Sequence, residues 1–123
     1  MVSFKELEIY KLAHENAKEI HQVTFKLPKF EFYEQGSQIR RSSKRIKDTI
    51  ADGYGRNRYK DEFIRFLTFA HASCNETISQ LETLNELYFN NDGLNDYIVQ
   101  YNVLGAKINK FIDYVEKSWI SAK

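Results

Sequence analysis

Gln38-Ile39-Arg40-Arg41-Ser42-Ser43-Lys44-Arg45-Ile46-Lys47-Asp48-Thr49-Ile50-Ala51-Asp52-Gly53-Tyr54-Gly55-Arg56 carries more structural information than any other stretch of the chain. From Gly36, just before it, small and apolar residues recur at Ile39, Ser43, Ile46, Ile50 and Gly53, in alternating steps of three and four. That spacing draws one stripe along an α-helix. Arg40, Arg41, Lys44, Arg45 and Lys47 project from its flanks and back. The stretch therefore predicts a helix packed on one side and cationic on the other.

The charge is local rather than global. From Gln38 to Phe66 there are nine Lys and Arg against four acids, a surplus of five in a chain whose formal net charge is +1. The remainder is thus mildly acidic, and a split of this kind predicts one basic face on a near-neutral body. At 123 residues the chain is read as a single domain over 1–123, long enough to bury its own core. Its one cysteine, Cys74, rules out an intramolecular disulfide and fits a reducing compartment. No apolar run approaches the roughly 20 residues of a membrane span, and the N-terminus lacks a signal-peptide pattern. A cytoplasmic protein with no membrane partner is the expectation.

Helix breakers are scarce: one proline, Pro28, and five glycines. Four helical segments follow. The first opens at Ser3, with Glu6 three residues on as a capping box, and carries Tyr10, Ala13, Ala17, Ile20, Thr24 and Leu27 until Pro28 stops it. Lys29 to Tyr33 reads as a connector. The second is the basic helix, expected to end at Gly53 in a left-handed cap. The third runs from about Tyr59 to Asn90, on the order of 45 Å, with Phe63, Leu67, Ala70, Cys74, Ile78, Leu81, Leu84 and Tyr88 as its stripe. After Asn91-Asp92-Gly93 the fourth takes Tyr97, Tyr101, Leu104, Ile108, Phe111 and Val115. Long amphipathic rods with short links predict an all-α, up-down four-helix bundle. The apolar faces of the last two helices are wide. They read either as a broad core-facing stripe or as a surface on which Ile98, Ile112, Trp119, Phe66 and Phe69 meet a second subunit in a homo-oligomer.

At Gln38, Ile39, Arg40, Arg41, Ser42, Ser43, Ile46, Ile50, Ala51, Asp52, Gly53, Gly55 and Arg56, and again at Phe63, Phe66, Leu67, Ala70, Glu76, Gln80 and Leu81, the chain resembles a known family. Phe4, Leu7, Tyr10, Ala13 and the Leu27-Pro28 pair fit as well. The family is that of the small bacterial four-helix-bundle proteins first noticed in intervening sequences of 23S rRNA genes, some of them labelled ribosomal proteins. Ser42 and Ser43 stand where the family has paired alanines, Arg45 where it has serine, Thr49 for asparagine and Asp52 for glutamate. The resemblance implies a homopentameric ring with no enzymatic activity. It also implies a kinship with accessory proteins of reverse transcriptases in diversity-generating retroelements, whose basic surface binds nucleic acid.

Nucleic-acid binding (RNA or single-stranded DNA) is the sharpest functional expectation. Arg40, Arg41, Lys44, Arg45 and Lys47 would neutralise phosphates, with Arg56 and Arg58 reaching from the glycine-flanked loop and Tyr54 and Tyr59 stacking on bases. Against it stands a solvated face with local pairs such as Lys44–Asp48, or a structural role in which Arg40 or Arg41 ties two helices through Glu76 or Asp52. A protein–protein scaffold is the alternative role. No cofactor, metal or catalytic residue is expected. A di-metal bundle needs Glu-x-x-His pairs, whereas Lys11, Lys18 and Thr68 precede His14, His21 and His71. His71 and Cys74 alone do not make a zinc site, Cys74 on an apolar stripe is a poor nucleophile, and Gly53-x-Gly55 is too short for a dinucleotide fingerprint.

Overall fold

A computed structural model describes residues 3–120, and among these all regular structure is helical. Ser3 and Glu6 do form the reciprocal box: the Ser3 hydroxyl accepts from the Lys5 amide at 3.1 Å and the Glu6 carboxylate from the Ser3 amide at 3.3 Å. What they cap is only a 3-10 turn, Phe4–Glu6. Leu7 then turns extended and packs its side chain on the core, so the first α-helix, α1, spans Glu8–Val23. Thr24–Lys26 tightens into a second 3-10 turn ahead of Pro28. The expected connector is itself a short helix, α2 (Lys29–Tyr33), with Pro28 at its N-cap, where a missing amide hydrogen costs nothing. The other three long helices are α3 (Gln35–Tyr54), α4 (Lys60–Tyr88) and α5 (Asn95–Ser118).

Two helix ends correct the sequence reading. Helix α3 runs past Gly53 to Tyr54, and Gly55 caps it at φ −62°, a right-handed conformation. Gly53 is there for space: a Cβ on it would sit 2.8 Å from the Phe66 Cβ of α4. The left-handed residues lie instead beyond α4, at Asn90 (φ 55°) and Asn91 (φ 57°). Asparagine is among the few side chains that adopt this conformation readily. The turn is held by buried Asn85, whose Oδ1 accepts from the Leu94 amide at 2.9 Å and whose Nδ2 donates to Asn95 Oδ1 at 3.0 Å.

Each long helix packs on two others in the cycle α1–α3–α4–α5. Cross-helix contacts fix the directions: Ser42 meets Thr77 and Tyr54 meets Phe63; Phe63 meets Phe111 and Cys74 meets Tyr101; Glu8 meets Lys107 while Leu12 and Asn16 face Val99 and Val103; and Thr24, just past α1, meets Arg40 while His14 and His21 face Lys44 and Lys47. Every neighbour is antiparallel, which is the up-down four-helix arrangement. Ile20 of α1, Ile39, Ile46 and Ile50 of α3, Phe63, Leu67 and Leu81 of α4, and Tyr101, Leu104 and Ile108 of α5 are fully buried. Each of the Ile, Leu and Phe side chains contributes on the order of 1.5–3 kcal/mol by leaving water. No described helix is long and apolar enough to cross a membrane.

Candidate nucleic-acid interface

The apolar stripe of α3 faces inward, so its back carries the charge outward, and each basic side chain meets a different fate. Arg40 is half-buried. Its guanidinium donates to Thr24 Oγ1 at 2.9 Å and to the Phe32 carbonyl at 3.1 Å, and lies 4.1 Å from the Phe32 ring centroid. It clamps the α1–α2 connection onto α3, and this corrects its place among the phosphate ligands. It also corrects the expected pairing with Glu76 or Asp52, since Arg40 leans to the α1 side. Glu76 is paired with Arg45 at 3.6 Å and Asp52 with Arg56 at 3.6 Å.

Arg41 and Lys44 are exposed, three residues apart on one face, and make no ion pair or hydrogen bond among the described residues. Asp48, expected to hold Lys44, is taken by Lys47 at 2.8 Å, with the Lys47 stem largely covered. Arg45 and Arg56 keep about half their side-chain surface in water, and Arg56 also lies 3.9 Å from Glu62. Such open pairs are worth little, and a phosphate can displace the carboxylate. Arg58 and Tyr59 are both exposed on the α3–α4 loop, with the guanidinium 5.8 Å from the ring. Tyr54 is another correction: its ring is buried edge-on between Phe63 and Trp119, so no base can reach its face.

The apolar candidates separate in the same way. Trp119 packs at 5.2 Å on Phe63 and donates its indole N–H to the Asn57 carbonyl at 2.9 Å, which ties the end of α5 to the α3–α4 loop of its own chain. Ile98 and Ile112 are half-buried against the core. Phe66 lies beneath the Arg56 guanidinium at 4.5 Å, next to exposed Phe69. The sequence reading missed the exposed large apolar residues of α5: Val99, Val103 and Tyr114. Val99 and Val103, with Leu12 and Asn16 of α1, line a groove along the α1–α5 seam.

It also missed a groove of about 240 Å³ between α1 and α3, lined by His14, Ala17, Lys18, His21, Lys44 and Lys47. Periodicity placed His14 and His21 on one face of α1, and Lys44 and Lys47 on a flank of α3. It held no signal for which two flanks meet. The Nδ1 atoms of both histidines are shut off from solvent and have no partner among the described residues.

The Cys74 thiol is not set up as a nucleophile. Cys74 is fully buried, its thiol donates to the Tyr101 carbonyl at 3.2 Å, and burial pushes its pKa up to about 11, against a weaker pull from the Gly105 backbone. No group of three or more His, Cys, Asp or Glu able to hold a metal occurs among the described residues. No curated protein matches the sequence. A family model described as 23S rRNA-intervening sequence protein matches residues 5–110, a span that takes in the clamp of Arg40, the open face of Arg41 and Lys44 and most of all four long helices, and the chain belongs to that family.

Proposed function

We propose that this chain is a non-catalytic nucleic-acid-binding protein that works through the outer face of α3. The observation that carries the proposal is the pair Arg41 and Lys44. They are exposed, lie less than one turn apart, and are without partners among the described residues, on a chain of formal charge only +1. Two like charges this close raise the local positive potential, which draws an anion to the face. Arg45, Lys47, Arg56 and Arg58 extend the face, the first three from weak surface pairs. Phosphate contacts of this kind serve RNA and single-stranded DNA alike, so both are tried. A cytoplasmic location and the lack of any catalytic step belong to the same proposal.

The test is anisotropy of a labelled 20-mer RNA and a single-stranded DNA, titrated with salt. Two phosphates neutralised per subunit give a log-log slope of about −1.4 or steeper, at about −0.7 each. Arg41→Glu with Lys44→Glu should weaken binding about tenfold or more. A slope near zero, or no binding at low salt, removes the proposal.

A second reading has its own observation. Val99 and Val103 of α5 leave apolar surface in water along the α1–α5 groove, and Tyr114 does so farther along the same seam, beside Leu7 and Ile9. We propose that this face joins copies of the chain, with the five-subunit ring as the form to look for, and that such a ring could also recruit a protein such as a reverse transcriptase. Val99→Ser with Val103→Ser should dissociate the assembly in light scattering, and a wild-type monomer at micromolar concentration discards this reading. A ring would repeat the α3 face and raise avidity with no new contact.

A further inference from the structure

The α1–α3 groove does not end at His21. The His21 ring meets Phe25 edge-on at 5.6 Å, Phe25 meets Phe32 at 5.3 Å, and Phe32 meets Tyr33 at 5.2 Å. Phe25 and Tyr33 stand out in water, 61% and 66% exposed. The Arg40 guanidinium lies on the Phe32 ring and hydrogen-bonds the Phe32 carbonyl, so the ladder is held on a fixed base. A cationic groove and an open row of rings are thus one continuous surface, about 16 Å from His14 to Phe25 along the helix rise.

We infer that this surface is the path of a single strand, with phosphates in the lysine groove and unpaired bases on Phe25 and Tyr33. The inference rests on the nucleic-acid reading above and narrows it to single-stranded RNA or DNA. The argument is one of complementarity. Lys18, Lys44 and Lys47 supply positive charge to the groove, and its two acidic neighbours, Glu15 and Asp48, are held in open pairs at 2.9 and 2.8 Å from which phosphate can release them. Aromatic faces outside the groove add nothing for a duplex, whose bases are already stacked on each other. For a single strand every base offers a face. Large exposed aromatics standing in a row are otherwise a liability for a protein in water.

The test uses Phe25→Ala with Tyr33→Ala in the full chain. Both side chains are exposed, and Phe32 is left alone because Arg40 rests on it. Anisotropy is read on a single-stranded 20-mer RNA and on the same sequence as a duplex. The expected result is a loss of about fivefold or more per stack for the single strand, an unchanged salt slope, and no change for the duplex. If the single strand binds the variant as tightly as wild type while Arg41→Glu with Lys44→Glu abolishes binding, the inference is overturned and the broader reading stands. Equal losses for single strand and duplex also overturn it. A change of sedimentation coefficient in place of a change in affinity assigns the rings to a contact between copies and overturns it as well. If wild type binds neither nucleic acid at low salt, both fall.

Discussion

The α3–α4 seam and the α1–α5 seam belong to the same bundle and are built on opposite principles. Where α3 crosses α4, Gly53 brings backbone against Phe66, and the Ser42 hydroxyl, 2.9 Å from Thr77 Oγ1, donates to Gln80 Oε1 at 2.7 Å. The helices there are as close as side-chain volume allows, and their polar atoms are satisfied within the seam. Where α1 meets α5, fewer residues touch, and one exposed ion pair, Lys107–Glu8 at 3.3 Å, bridges the gap. Valines and a tyrosine remain in water beside it. Close packing resists any added volume, whereas an open seam can receive a partner. The difference teaches that this bundle is finished on one side and unfinished on the other.

The comparison is broken most directly at Gly53. Gly53→Val should cost about 3 kcal/mol or more, since overpacking a close seam forces backbone apart, and urea denaturation would read it. A loss under about 1 kcal/mol would mean that the α3–α4 approach is not fixed by that glycine.

The next largest effect concerns pH. The folded state keeps the Cys74 thiol neutral beyond its ordinary value of 9.0, up to about 11. Burial pushes the Tyr101 hydroxyl up as well. For Cys74 that stability is fully present below about pH 9 and is lost as pH rises through about 11, because the unfolded chain releases its proton first; for Tyr101 the loss begins only above its ordinary value of 10.0 and continues to higher pH. Two pH units for Cys74 correspond to roughly 3 kcal/mol at most. Cys74→Ala should flatten part of the decline in Tm between pH 9 and 11, and an unchanged slope would remove Cys74 from the account.

Ser42→Ala should cost about 1 kcal/mol, the worth of a hydrogen bond whose acceptor, half-buried Gln80, can still find water. Lys107→Ala should change stability by less than about 0.5 kcal/mol, as exposed pairs do. If these two came out in the reverse order, the claim that the seams differ in kind would fail.

The stripes Ile39–Ile46–Ile50, Phe63–Leu67–Ala70 and Tyr101–Leu104–Ile108 were legible because burial imposes a helical period on the sequence, and every one of these residues is buried. Helix direction and order followed from the short links. The site was legible only as a set of charges. Arg40 and Arg41 are adjacent and chemically identical, yet one is locked onto Thr24 and Phe32 and the other is exposed with no partner among the described residues. The deciding partners lie on a 3-10 turn and a five-residue helix, segments too short to show a period. Tyr54 misled for a related reason: a ring one residue beyond the stripe is buried because Trp119, 65 positions later, folds back over it.

That tryptophan is the only one in the chain. Its indole is half-shielded, lies against Phe63 and Tyr54, and is bonded to the backbone of the α3–α4 loop. The molecule therefore carries its own optical probe. The intrinsic emission of Trp119 will report whether the tail of α5 is docked, so fraying at that end of the bundle can be timed separately from collapse of the whole, without attaching any label.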